Sequence, residues 1–311
     1  MRTTFLFTAL IAAGAMGPAA ARAQMAPIDP APPVPAETAL LDAAANGDGA
    51  IRILEAEDLA MLPQRIAADA CAWLAGLPGA EDDLRKSVAK FDRVIDALTH
   101  GDASLGIDGP EDDRRVLADL DAAHAVWDPL HEILDRLLVE GPNDADVLHV
   151  ADDSLKLLKI GKRLAEHEVA AHADPAELTM RDALAIEIAG RQELLAEEIA
   201  KDICLMMLHL GDAAEERAEM REALEMFEIS LGALHDGMPE AGLAPPPDER
   251  IVKELEKVRH EWDESRAILT RVADGSAPTL EETGAVFSNM MRVTDHMGRI
   301  VHLYADASGT H

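Results

Sequence analysis

An internal duplication constrains the fold of this chain more than any other feature of its sequence. The stretch from Ala185 to Gly211 has a weaker copy from Leu54 to Gly76. The two cysteines, Cys71 and Cys204, occupy the same place in each copy, 133 residues apart. Other residues recur at offsets of 135 to 137: Phe91 with Phe227, Gly101 with Gly237, Trp127 with Trp262, and Gly161 with Gly298. Solenoid repeats have periods of roughly 20–50 residues, so this spacing predicts two copies of a whole domain.

Composition and periodicity both favour helices. Aromatic residues make up 3% of the chain, whereas sheets are rich in aromatic and β-branched side chains. In each copy, four segments with apolar residues at helical spacing are separated by Gly and Pro. We expect Pro110 in the first turn of the third helix, and a capping box of Thr279 and Glu282 before the last. The sequence therefore predicts an all-α protein made of two four-helix units.

The N-terminus has the pattern of an export signal. Arg2 precedes an apolar run from Phe5 to Met16, and Ala21-Arg22-Ala23 forms a small-x-small cleavage site. The run is too short for a permanent anchor, and no later stretch reaches eighteen uninterrupted apolar residues, so we expect no membrane insertion of the mature chain. We expect a periplasmic protein with four parts: a signal peptide (1–23), a Pro-rich disordered spacer (24–37), and two helical domains (38–173 and 174–307).

The charge of the chain excludes one class of partner. It carries 59 acidic and 28 basic residues, a net charge of −31. Such an acidic surface repels nucleic acid, so no nucleic-acid partner is expected. Solubility is the ordinary reason for a charge of this size.

The first helix of the second copy, AIEIAGRQELLAEEIAKDIC, resembles the signature helix of a known sensory domain. That domain is the N-terminal part of type IV pili methyl-accepting chemotaxis transducers, and it is related to NarX-like nitrate and nitrite sensor domains. MFEISLGALHDGMPEAGL and VRHEWDESRAIL are similar to its second and third helices, and LAMLPQRIAADAC carries the resemblance in the first copy. The resemblance covers 178–306 and, more faintly, 50–172. It implies two tandem antiparallel four-helix bundles that detect a small ligand outside the cytoplasmic membrane.

The resemblance also suggests where a ligand would bind. In the nitrate-sensing relatives, an arginine of the first helix binds the anion across a two-fold interface. That position holds Glu193 in the second copy and Ala60 in the first, so we do not expect nitrate sensing by this route. The predicted ligand-binding residues match two other pairs of the family pattern: Arg191 with Gln192, and Gln64 with Arg65. The alternative role for such an arginine is structural, as a buried partner of a carboxylate.

Two further residue sets contain side chains that could support metal chemistry. His167 and His172, with Glu168 between them, are five apart, whereas the zinc protease motif needs histidines four apart on one helix face. Side chains that suit copper occur in two groups: Cys204, Met206, Met207 and His209, and Met290, Met291, His296, Met297 and His302. Methionine on a helix, however, usually fills a hydrophobic core. We therefore expect no catalytic residue, no metal site, no cofactor and no enzymatic activity.

The two cysteines leave two alternatives open. At 100° per residue, Cys204 lies about 160° from Ile188, on the face opposite the predicted core stripe. If the first helices of the two bundles run parallel about a pseudo-two-fold axis, as in the family's dimer, Cys71 and Cys204 would meet in a disulfide. Alternatively, Pro63 bends one helix away and the two thiols are buried separately.

The leading functional prediction is a non-enzymatic periplasmic protein that senses or binds an unknown small ligand. The transducers continue into a membrane helix and signalling modules, which this sequence lacks up to His311, so we expect a separate membrane-bound receptor or kinase as partner. Two alternatives are a structural envelope protein without ligand and a periplasmic copper-binding protein.

Overall fold

The computed structural model describes residues 48–172 and 180–308, which form eight α-helices and no strand. The first copy contains α1 (Asp48–Leu74), α2 (Ala80–His100), α3 (Arg114–Glu140) and α4 (Asp144–His172). The second contains α5 (Met180–Leu208), α6 (Ala213–Asp236), α7 (Glu249–Ala273) and α8 (Leu280–Ser308), with a short 3-10 turn at Pro239–Ala241. The predicted signal peptide and spacer and the joining segment 173–179 lie outside the described residues. None of these eight helices has the length and apolar character needed to cross a membrane.

Each copy closes into its own four-helix bundle, as predicted. Around the first bundle α1 packs against α2 and α4, and α3 packs against both of these; α5 to α8 repeat the arrangement. Each core contains one stacked or tilted aromatic pair, Phe91 with Trp127 and Phe227 with Trp262, with ring centroids 3.9 and 4.1 Å apart. The equivalent pairs confirm that the recurrence in the sequence reflects a structural duplication.

The loop after the second helix is also duplicated. A single antiparallel bridge joins Asp102 to Ile107 in the first copy, and the equivalent bridge joins Met238 to Leu243 in the second. Gly101 and Gly237 start these loops with φ of 88° and 79°, a conformation that side chains other than glycine's rarely adopt. Backbone geometry therefore explains why a glycine recurs at this point in each copy.

The helix ends follow local hydrogen bonding. The capping box is confirmed: Thr279 N donates to Glu282 Oε2 at 2.9 Å, and Glu282 N donates to Thr279 Oγ1 at 3.2 Å. The expectation for Pro110 is wrong, because α3 begins at Arg114 and the Asp113 carboxylate caps it by accepting from the backbone N–H groups of Arg115 and Val116. The helix starts after Asp113 because its carboxylate satisfies backbone donors of the first turn, whereas a proline is merely compatible with the first turn and supplies no such hydrogen bond.

Candidate functional site at the interface of α1 and α5

The two bundles meet along α1 and α5, which run parallel and in register. Three contacts show the register: Arg65 with Glu197, Gln64 with Lys201, and the cysteine pair. The sequence separations of these contacts are 132, 137 and 133 residues, close to the offset between the copies. Because the separation stays nearly constant along the helices, equivalent parts of the two copies face each other. The interface therefore has the pseudo-two-fold arrangement considered from the sequence.

Near the C-terminal ends of α1 and α5, Cys71 and Cys204 join the two helices in a disulfide, with Cα atoms 6.0 Å apart. Both side chains are fully buried. Cys204 and its neighbours Leu205 and Leu210 pack into the core of the first bundle, while Ala68 packs into the core of the second. Each bundle thus completes part of its core with residues from the other.

A polar network lies beside the disulfide. Arg65 Nε donates to Glu197 Oε1 at 2.8 Å, and one terminal nitrogen of the guanidinium lies 2.7 Å from the same oxygen. Lys201 Nζ donates to Gln64 Oε1 at 3.2 Å, and Gln64 Nε2 donates in turn to Ser154 Oγ at 3.1 Å. Glu197, Lys201 and Gln64 are all at most 5% exposed. The interface is therefore held by buried charges as well as by apolar packing.

Buried carboxylates along α1 and α5 have raised pKa values. Burial, together with repulsion from the charges of Asp58, Glu197 and Glu57, raises the pKa of Glu193 to about 8, against a lowering effect of Lys90. Burial also raises the pKa of Glu197, although Arg65 lowers it. Asp69, which accepts from Ser87 Oγ at 2.7 Å, has a pKa of about 7 because burial outweighs the effect of Arg65 and this hydrogen bond. Carboxylates of this kind exchange protons near neutral pH.

The structure separates the four predicted ligand-binding residues. Gln64 and Arg65 lie in the interface, where both are engaged by the second bundle. Gln192 is fully buried inside the second bundle, with Nε2 donating to Phe227 O at 3.4 Å and Oε1 without a hydrogen-bond partner. Arg191 is exposed. The four residues therefore do not form a single preformed pocket.

The position of the family's anion-binding arginine is closely packed in both copies. A Cβ atom on Gly161 would lie 2.5 Å from the Cα of Ala60, and one on Gly298 would lie 3.3 Å from Glu193 Oε1. The glycines that recur in the sequence thus allow α4 and α8 to approach this position. A close approach around a buried, acidic residue leaves this position unsuited to an anion.

Several of the candidate metal ligands have other contacts in the structure. The thiol of Cys204 is consumed by the disulfide, and Met290 and Met297 fill the core of the second bundle. His296 Nδ1 lies 2.7 Å from Glu254 Oε2 on α7. His167 lies 2.6 Å from Asp119.

A buried ionic network at one end of the first bundle was not expected from the sequence. Arg52, only 2% exposed, donates to Glu111 Oε2 at 3.1 Å and to the carbonyl of Gly109 at 2.6 Å. His172 Nε2 lies 2.9 Å from the same carboxylate oxygen and 3.3 Å from Glu168 Oε2. The signal in the sequence was an arginine in an otherwise apolar segment of α1, but its partners come from distant parts of the chain.

The tandem bundles, with their polar and in-register interface, define a duplicated all-helical domain. The family model for the type IV pili methyl-accepting chemotaxis transducer N-terminal domain matches residues 46–153 and again residues 179–286. Each match spans the first three helices of one copy and runs into the fourth. The chain therefore belongs to this family, in tandem duplicate. No curated protein and no solved structure matched the chain.

Proposed function

We propose that this protein is a non-enzymatic sensory input module of the periplasm, which binds a small ligand and acts with a separate membrane-bound receptor or kinase. The observation that carries the proposal is the double match to the N-terminal domain of chemotaxis transducers. A family used for input in transducers, present here twice, supports detection as the role of both copies.

The α1–α5 interface is the element through which we expect the two copies to act. Parallel, in-register first helices let a change in one bundle reach the equivalent helix of the other directly. The network of Arg65, Glu197, Gln64 and Lys201 crosses from one bundle to the other. Buried polar networks respond strongly to the loss or gain of one charge, because the surroundings screen it poorly. A polar ligand or a proton that altered this network would change how the bundles pack.

The periplasmic location rests on the export signal in the sequence and on the cysteine pair. Disulfides form and persist in oxidising compartments such as the periplasm, and a bridge between the two copies suits that environment.

A structural envelope protein without ligand is the second candidate. The buried cross-bundle network and the disulfide would serve a rigid spacer equally well. Copper binding has less support, because the only two thiols of the chain bond to each other.

Thermal unfolding of the mature chain against a panel of small organic acids, amino acids and inorganic ions tests the leading proposal. A ligand that binds only the folded state at one hundred times its Kd should stabilise it by about 2.7 kcal/mol. Arg65→Ala should abolish the shift for a ligand sensed at the interface, while Arg217→Ala, on α6, should retain it. If no compound shifts the melting temperature, and deletion of the protein leaves surface motility responses unchanged, the structural role is favoured instead.

A further inference from the structure

We propose that the second bundle binds a small carboxylate between α6 and α7, held by the indole N–H of Trp262 and the guanidinium groups of Arg259 and Arg266. The site lies between these two helices and not at the α1–α5 interface, and it does not depend on the proposed sensory function. Equivalent positions in the two copies differ here in one respect that points to a ligand.

The first copy shows how a carboxylate fits at this place. Trp127 Nε1 on α3 donates to Asp92 Oδ1 on α2 at 2.8 Å, and His131 Nε2 lies 3.0 Å from Asp92 Oδ2. Both carboxylate oxygens are therefore engaged. They lie beside a groove of about 280 Å³ whose lining includes Trp127, His131 and His124. A carboxylate thus satisfies the buried indole N–H in this copy.

In the second copy the equivalent indole N–H has no acceptor. Trp262 packs on Phe227 with ring centroids 4.1 Å apart, as Trp127 packs on Phe91 at 3.9 Å. Trp262 is only 2% exposed, and among the described residues its Nε1 atom has no hydrogen-bond partner. A buried donor without an acceptor costs free energy, which a bound carboxylate would recover.

The residue equivalent to Asp92 in the second copy is Glu228, which follows Phe227 as Asp92 follows Phe91. Its side chain is one methylene longer, and its Oε1 atom accepts from Arg266 Nη1 at 2.7 Å. The side chains of Arg266 and Glu228 are 52% and 53% exposed. An ion pair this exposed contributes little to stability, so it can open and let a ligand reach the indole.

Two arginines take the places that two histidines have in the first copy. Arg259 and Arg266 correspond to His124 and His131, three residues before the tryptophan and four residues after it. Residues at these spacings lie on one face of a helix, so both arginines share the face of α7 that carries Trp262. The exchange of imidazole for guanidinium makes this face a permanent cation, which suits an anionic ligand.

Arg259 is available to such a ligand. It is half-buried, and within the described part of the chain it makes no hydrogen bond or ion pair. Its charge acts on Asp236, whose pKa is lowered chiefly by His235 and less by Arg259. A guanidinium presents its N–H donors in a planar fork that matches the two oxygens of a carboxylate. An indole N–H beside two such forks therefore favours a carboxylate ligand.

Nitrogen–proton correlation NMR of the mature chain, titrated with sodium succinate at a constant ionic strength of about 0.15 M, tests the site directly. Succinate carries two carboxylates, so one molecule can engage the indole and both arginines. The Trp262 signal, identified by its loss in Trp262→Phe, should move downfield and saturate with a Kd of about 1 mM. The Trp127 signal should stay in place, because Asp92 already accepts from that indole.

Arg259→Gln should weaken succinate binding at least about tenfold, because it removes a charged donor. Lys253→Gln is the matched control, since it removes one positive charge from an exposed position elsewhere on α7, and it should bind as the wild type does. Glu228→Ala should bind more tightly than the wild type, because it frees Arg266 and removes a competing carboxylate. Circular dichroism should show that all three variants keep their helices.

The proposal is overturned if the Trp262 signal does not move up to about 20 mM succinate, roughly twenty times the expected Kd. It is also overturned if Lys253→Gln loses as much affinity as Arg259→Gln, which would show diffuse attraction to positive charge. A third contrary result would be an upfield shift of the Trp262 signal in ligand-free Glu228→Ala. That shift would show that Glu228 already accepts from the indole in solution.

Discussion

The substitution Glu193→Gln should change how the stability of the protein depends on pH. Glu193 is 8% exposed, and burial raises its pKa from 4.5 to about 8. Between pH 4.5 and 8, the folded protein therefore holds a proton at this site that the unfolded chain has already lost. Stability falls as pH rises wherever the folded state binds more protons than the unfolded state. In this window Glu193 consequently destabilises the folded protein more and more as the pH increases.

The expected size follows from the shift. One group that is protonated only in the folded state changes the free energy of unfolding by about 1.4 kcal/mol per pH unit. Between about pH 5.5 and 7.5, a pKa that moves from 4.5 to about 8 gives a loss of roughly 2–3 kcal/mol. Glutamine has nearly the same shape and stays neutral, so the variant avoids this loss. The stability advantage of Glu193→Gln over the wild type should therefore grow by roughly 2–3 kcal/mol between about pH 5.5 and pH 7.5.

Urea denaturation of both proteins at the two pH values, with the disulfide intact, measures this difference. Other titrating groups act in both proteins and largely cancel in the comparison. Glu222→Gln is the control, because it removes one negative charge from an exposed position on α6 and so tests whether net charge alone is responsible. Equal pH slopes for Glu193→Gln and the wild type, or the same slope change in the control, would refute the argument from burial.

The remaining predictions concern the cysteines, packing at glycines, and anions. Thiol labelling of denatured, unreduced protein should find no free thiol, and Cys71→Ser should lower the free energy of unfolding by roughly 2–5 kcal/mol, because the bridge closes a long loop to Cys204; two labelled thiols per chain would contradict this. Gly161→Ala should cost about 1–3 kcal/mol, because the new methyl would meet the backbone of Ala60 at 2.5 Å. Gly190→Ala should instead stabilise the folded protein by roughly 0.5–1 kcal/mol, because the space around the added carbon is open. Similar shifts of the melting temperature for the two variants would argue against the close approach of α4 to Ala60. Calorimetric titration with nitrate or nitrite should give no tight binding, and a micromolar Kd would overturn that expectation.

The sequence alone was sufficient for the local features of this protein. Helical periodicity, the capping box at Thr279 and the glycines that start the duplicated loops depend on residues close together in the chain. The duplication was visible because equivalent residues, such as Phe91 and Phe227, pack in equivalent places in each core. Even so, the predicted start of α3 at Pro110 was wrong. Both Pro110 and Asp113 are compatible with a helix start, and the sequence does not show which of them forms the capping hydrogen bonds.

The tertiary structure decided which face of each first helix meets which partner. The core stripe expected on α5 centred on Ile188, Leu195, Ile199 and Met206. Leu195 and Ile199 are buried as expected, whereas Ile188 and Met206 are only partly buried. Ile186 and Cys204, on the expected outer face, are buried as well. α5 packs against its own bundle on one side and against α1 on the other, so apolar residues surround it and periodicity no longer marks a single face. For the same reason the predicted ligand-binding residues have different surroundings. Gln192 lies inside its own bundle and contacts Phe227, whereas Arg65 contacts Glu197 of the other bundle.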